Sequence, residues 1–150
     1  MERGVEQDYQ RALPLAAALE EPGTPVTRIE PRALVRPPGF PDLMSRVRVV
    51  RPGPCTVDGR AWSGHAPVTS VEVTTDAGAS WSPAELDPAP VEPWAWRRWR
   101  YDWTARPGRY LLGARATDAS GRSQPLDQPW NRGGFANNLV QRVAVAVLPE

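Results

Sequence analysis

The chain reads as an all-β protein, an antiparallel sandwich of about seven strands preceded by an extended Pro-rich segment. Three observations predict it. The 18 prolines in 150 residues argue against helices. Period-two alternation of apolar and polar residues recurs from Ser45 to Leu148. Pro/Gly and Asp/Gly turn signals punctuate that stretch roughly every 8–12 residues.

Residues 1–44 are read as an extended tail or linker, and 45–150 as the sandwich. In the first part, 12–19 is Ala/Leu-rich, but Pro14 interrupts it and Glu20-Glu21-Pro22-Gly23 ends it. Five prolines between Pro25 and Pro41 predict extended segments and turns over the surface. The first clear strand alternates Val47 and Val49 with Arg46 and Arg48, and stops at Arg51-Pro52-Gly53-Pro54. A second runs from Cys55 to Ser63 with a turn near Asp58-Gly59. A third, 68–75, turns at Asp76-Ala77-Gly78-Ala79, and 81–86 returns as its hairpin partner. Two more surround Arg106-Pro107-Gly108, and the last, 140–148, places Val143, Val145 and Val147 on one face.

The richest strand is 91–103, V-E-P-W-A-W-R-R-W-R-Y-D-W, with four of the seven tryptophans. Trp99, Tyr101 and Trp103 share one parity; Trp94 and Trp96 take the other. Either a bulge near Arg97 changes the phase or the first two indoles precede the paired strand. A buried Trp removes about 150–250 Å² from water, so this segment should dominate its core. The interleaved arginines read as a solvated face, or as an anion-binding or partner-facing surface.

Composition removes several function classes. The net charge is +1, which gives no overall field for nucleic acid or membranes. All 18 basic residues are Arg, a usage that codon bias explains more simply than anion recognition. A lone Cys55 excludes an internal disulfide and a Cys-based zinc site, and a lone His65 in a Ser-Gly-His turn gives no catalytic triad. No apolar run reaches membrane-spanning length and no export signal is visible, so the chain as given reads as soluble and cytoplasmic, while the compartment of any parent enzyme, which could be periplasmic, stays open. T-T-D-A-G-A-S-W, at 74–81, resembles a sialidase Asp-box, but it occurs once and reads as a stable hairpin, with Asp76 accepting from the turn's amides, Gly78 supplying positive φ and Trp81 plugging the core. The loop P-W-N-R-G-G-F-A-N-N, at 129–138, is either a self-satisfied irregular turn or a docking loop.

Taken in order, the motifs are A-W-S-G (61–64), V-E-V-T-T-D-A-G-A-S-W (71–81), A-W-R-R-W (95–99), A-T-D-A-S-G (116–121), Q-P (124–125) and W-N-R-G-G-F-A-N-N-L-V-Q-R-V (130–143). Together they closely resemble the C-terminal dimerisation domain of the sulfite oxidase family of molybdopterin enzymes. Residues 7–9, Gln-Asp-Tyr, resemble the segment where that family's catalytic domain ends. The resemblance implies an immunoglobulin-like sandwich that pairs as a homodimer or docks on a molybdopterin catalytic domain or chain. It implies that the molybdenum and its pterin belong to that other domain of a parent enzyme. The present chain alone would then hold no cofactor and carry no catalytic residue.

By the same resemblance, Trp62, Trp81, Trp96, Trp99 and Trp130 are structural or interface positions, as are Asn131, Asn137, Asn138 and Arg142. In animal-type sulfite oxidases the loop reads W-N-L-R-G and its Arg reaches the anion pocket. Here that register falls on Gly133, with Arg132 one residue earlier. Either Arg132 substitutes by a backbone shift, as a substrate-proximal group, or this branch lacks the contact. A free-standing carbohydrate- or protein-binding module of the same fold is the alternative reading.

Overall fold

A computed structural model describes residues 25–90, 92–127, 129–130 and 135–149. The chain divides into two units, Met1–Thr27 with Trp130–Phe135, and Arg28–Pro129 with Ala136–Glu150. Of the first, residues 25–27, Trp130 and Phe135 are described, and Val26, Trp130 and Phe135 are largely exposed. The second is a two-sheet β-sandwich. Among the described residues it has ten strands and no helix.

The four-stranded sheet has the order β1-β4-β8-β7, from Arg32–Arg36, Gly53–Trp62, Arg97–Ala105 and Glu85–Leu86. The six-stranded sheet has the order β2-β3-β10-β9-β5-β6. Its strands are Phe40–Pro41, Arg48–Val50, Val143–Val147, Gly108–Asp118, Val68–Thr74 and Ser82–Pro83. All neighbours run antiparallel except β3 and β10, which pair in parallel with Val145 beside Arg48 and Val147 beside Val50.

The alternation seen in the sequence decides which residues enter the core. Val57 and Ala61 of β4, with Trp99 and Trp103 of β8, point inward from one sheet. Val71, Val73, Leu112, Ala114, Val143 and Val145 meet them from the other. Trp99 is 1% exposed. Its burial contributes roughly 4–6 kcal/mol of transfer free energy before entropy is counted. Trp103 meets Tyr110 edge to face at 4.9 Å between centroids. β8 begins at Arg97, so Trp94 and Trp96 precede the paired strand and no bulge is needed to explain their parity.

Four elements differ from the sequence reading, each for a physical reason. No turn occurs at Asp58-Gly59; β4 runs straight through it. Gly59 is there because a Cβ would lie 1.8 Å from the Leu34 carbonyl oxygen and 2.6 Å from the Trp99 ring. The glycine makes room for the largest core side chain. The Pro-rich stretch before Ser45 contributes β1, which adds Ala33 and Val35 to the core, and β2, which pairs with β3. Flanking prolines hid this strand, because they restrict the ends of an element without forbidding its middle. Only Ser82 and Pro83 pair with β5; the chain then crosses to the other sheet, where Glu85 and Leu86 pair with β8. Pro83 has no N–H to extend a ladder, so it sits on an edge. The last strand starts at Val143 rather than Val140, with the expected three valines inward.

The turn after β5 follows the chemistry read from its sequence. The Asp76 carboxylate accepts from the Ser80 amide (2.8 Å), the Ser80 hydroxyl (2.5 Å) and the Thr74 hydroxyl (2.7 Å). Gly78 takes φ 96°. The Ser80 hydroxyl, then the Ser80 amide and the Thr74 hydroxyl, hold the Asp76 carboxyl down at about 2.

Two outcomes test this packing. Gly59→Ala should destabilise the fold by about 1–3 kcal/mol through overpacking, read from the urea midpoint. The depressed Asp76 carboxyl stabilises the fold fully above its ordinary value of 3.8, and that contribution is lost as pH falls toward about 2. In Asp76→Asn the melting temperature should therefore fall less steeply over that window than in the parent.

Candidate interaction site

Strand β1 is an edge strand, and its outer backbone groups would be left open without a neighbour. Three amide side chains occupy them. Gln124 Oε1 accepts from the Ala33 amide at 2.6 Å and from the Ala116 amide of β9 at 3.1 Å. Gln124 Nε2 donates to the Asn138 carbonyl at 2.8 Å. Gln141 Oε1 accepts from the Val35 amide at 3.0 Å, and Asn138 Nδ2 donates to the Pro31 carbonyl at 3.1 Å. Gln124 is 3% exposed and Asn138 is 7%. This seam joins the edge of one sheet to a strand of the other and holds Gln124, Asn138 and Gln141 between them.

A second polar knot lies beside it. Ser63 Oγ donates to Asp118 Oδ2 at 2.7 Å, and the His65 amide donates to Ser63 Oγ. Asp118 Oδ1 accepts from the Ser120 hydroxyl and the amides of Ser120 and Arg122. Burial acts to raise the Asp118 carboxyl, but the bonds from Ser120, Ser63 and Arg122 outweigh it and hold it below the usual carboxylate range. The motifs at 61–64 and 116–121, far apart in sequence, thus meet in space.

The predicted tryptophans occupy different environments. Trp99 is the core centre described above. Trp62 is half-buried, donates its Nε1 to the Trp94 carbonyl at 2.6 Å and stacks on Trp96 with centroids 6.0 Å apart. Trp96 is 44% exposed. Trp81 does not plug the core: it is half-buried under the Arg115 guanidinium, 4.2 Å from its ring, and Arg115 pairs with Glu72 at 2.7 Å.

The outer face of the four-stranded sheet is a solvated charge lattice. Arg36 pairs with Asp58, and Arg100 with Glu85 at 2.8 Å. Asp58 lies beside Arg100 across β4 and β8, which completes a row of alternating sign over four strands. Exposed pairs of this kind add little stability each but keep the face wet. Arg97 behaves differently, donating to the carbonyls of Val68 (2.7 Å) and Asp87 (2.5 Å).

The family model for the Mo-co oxidoreductase dimerisation domain matches residues 40–148. This chain belongs to the Mo-co oxidoreductase dimerisation domain family. It is 35% identical over 109 residues to the mitochondrial sulfite oxidase of Mus musculus, covering 67% of this chain and 20% of that protein. It is 28% identical over 136 residues to the NAD(P)H nitrate reductase of Hordeum vulgare, covering 85% of this chain and 15% of that protein. The chain therefore spans about a fifth or less of the length of these relatives. The crystal structure of the sulfane dehydrogenase SoxCD from Paracoccus pantotrophus superposes with a TM-score of 0.61 at 23% identity. It covers 81% of this chain and 33% of that one, and shows the shared fold.

Within this dimerisation domain, the remaining predicted positions fall on the 122–142 segment. Asn137 is exposed; its side chain accepts from the Leu139 amide and its carbonyl from Arg32. Arg142 donates to the Leu126 carbonyl and to Asp127 at 2.8 Å. Asn131, Arg132 and Gly133 lie outside the described residues. The described residues do not fit a molybdenum site. Cys55, the single thiol, is turned toward the core and its thiol is pushed up by burial, the reverse of what a metal thiolate needs. Among the described residues no three His, Cys, Asp or Glu side chains gather as ligands.

Gln124 and Gln141, quoted in the sequence only as members of the Q-P and V-Q-R-V motifs, have bracing roles that sequence reasoning did not assign. The available signal was an amide at the head of the V-Q-R-V-A-V strand and another in a turn otherwise built of small residues. Gln124→Leu keeps the size but orphans two buried amides, so it should cost about 2–5 kcal/mol by chemical denaturation. Asn137→Leu, on the exposed side of the same segment, should cost well under half of that.

Proposed function

We propose that this chain self-associates as the homodimerisation module of a molybdopterin-dependent oxidoreductase of the sulfite oxidase type. The supporting observation is the family match over 40–148, which takes in nine of the ten strands and the whole six-stranded sheet. On this reading, residues ahead of Ser45 lead from a molybdopterin-binding domain or chain, with the Arg32–Arg36 part held to the sandwich by the amide seam. The cofactor and the redox chemistry belong to that other part of the enzyme. This chain supplies a rigid platform and the 129–138 loop, in which Arg132 offers a guanidinium to an anionic substrate.

Sedimentation equilibrium of the purified chain over a concentration series tests the proposal. The expected result is a monomer–dimer equilibrium with one dissociation constant. A strict monomer at every concentration overturns it.

A further inference from the structure

The two outer faces of the sandwich differ in chemistry. The four-stranded sheet carries its row of alternating charges. In the six-stranded sheet, β10 itself is apolar on both sides, while Arg109 of β9 lies beside Ala146 on the outward face. Val143, Val145 and Val147 point inward and are buried, while the outward positions of β10 are Ala144 and Ala146. Ala144 lies beside Leu111 of β9, and Ala146 beside Val49 of β3, which in turn lies beside Phe40 of β2. Leu148, next outward, is 45% exposed and Phe40 is 80% exposed. A sheet face turned to water ordinarily alternates polar residues outward. An outward patch of Ala, Val, Leu and Phe, with a single Arg109 at its β9 side, is the pattern of a face that another surface covers.

We infer that this face, from Phe40 on β2 to Leu111 on β9, is where a second copy of the chain docks, sheet against sheet. The inference rests on the dimerisation reading above and adds the surface to it. The row across the sheet is Phe40, Val49, Ala146, Arg109. A two-fold axis along the strands, midway between β3 and β10, superposes this row on its own reverse. Val49 of each copy then lies over Ala146 of the other, large on small, and Phe40 lies over Arg109, ring on guanidinium. The same operation keeps the two Arg109 side chains apart. Alanines at the centre let two sheets approach to the roughly 10 Å spacing of face-packed sheets.

Area sets how strong the pairing is. Four strands about 4.8 Å apart over a few outward rows give roughly 300 Å² per copy, against about 800 Å² for a standard interface. The β2–β3 hairpin supplies more. Its tip carries Leu43 and Met44, 86% and 94% exposed. Asp42 braces it, accepting from the Ser45 amide at 3.3 Å while its own amide donates to the Val47 carbonyl at 2.8 Å. A tip already ordered loses little freedom on docking. The result is a small interface whose dimer dissociates on dilution.

The test is sedimentation equilibrium on the full chain and three variants, with circular dichroism and thermal melts to confirm folding. Phe40→Ser alters a side chain that the fold does not bury. Ala146→Arg places a charge at the centre of the face. Arg98→Glu changes the outer face of the other sheet. The inference expects the dimer dissociation constant to rise about tenfold or more for Phe40→Ser and Ala146→Arg, and to stay within about twofold for Arg98→Glu. A dimer that survives both face variants, or that Arg98→Glu weakens as much, overturns the assigned face and leaves dimerisation standing. A wild-type monomer at all concentrations overturns both.

Discussion

The open edge of β1 is the constraint from which much of the molecule follows. Its outward amides and carbonyls lie in a region too dry to leave unpaired, and no further strand is there to take them. Gln124, Asn138 and Gln141 do so instead. A single Gln reaching two backbone amides fixes the distance between β1 and β9, and so between the two sheets. The same bonds hold Gln124, Asn138 and Gln141 against the sandwich, just ahead of the start of β10 at Val143. From there β10 pairs antiparallel with β9 on one side and parallel with β3 on the other. An unsatisfied edge would also be a template for indiscriminate strand addition, and the seam removes it while leaving the faces free.

With one edge closed by side chains, association through faces becomes the natural route for a dimerisation domain. The faces are chemically unlike. Ion pairs on the four-stranded sheet are satisfied within the chain, and burying them would cost desolvation with little return. The alanine-lined face of β10 carries less of that cost, with Arg109 at its side the charge to be covered. Apolar area of this kind contributes about 25 cal/mol per Å² when covered. Even a few hundred Å² per copy therefore competes with the entropy of association only if the surface is already rigid. The braced hairpin and the pinned terminal strand meet that condition.

The polar knot of Ser63 and Asp118 shows how family motifs acquire meaning. A-W-S-G and A-T-D-A-S-G look like turn punctuation when read along the chain. In the fold they are two halves of one hydrogen-bonded junction, and Trp62, in the first, also anchors the approach to β8 through the Trp94 carbonyl. The tryptophans likewise divide by role. Trp99 fills the core, Trp62 and Trp96 stack on its rim, and Trp81 rests under a guanidinium on a sheet face. Indole count alone announced a large core but could not distribute these roles.

Local chemistry was legible in the sequence. The two-residue period of V-A-V-A-V and of W-R-Y-D-W gave strand type and inward face, because side chains alternate whatever the partner strand is. The Asp76 turn was legible because the bonds to its carboxylate all close within seven residues. The motif order carried the family. What the sequence did not decide required atoms distant along the chain. Gly59 looks like a turn until the Trp99 ring is seen against it. β1 looks like linker until β4 supplies its ladder and Gln124 its outer bonds. The crossing of sheets at Ala84 depends on which edge each short strand reaches. Each turns on a non-local steric or hydrogen-bonding partner, and only the tertiary structure brings those partners together.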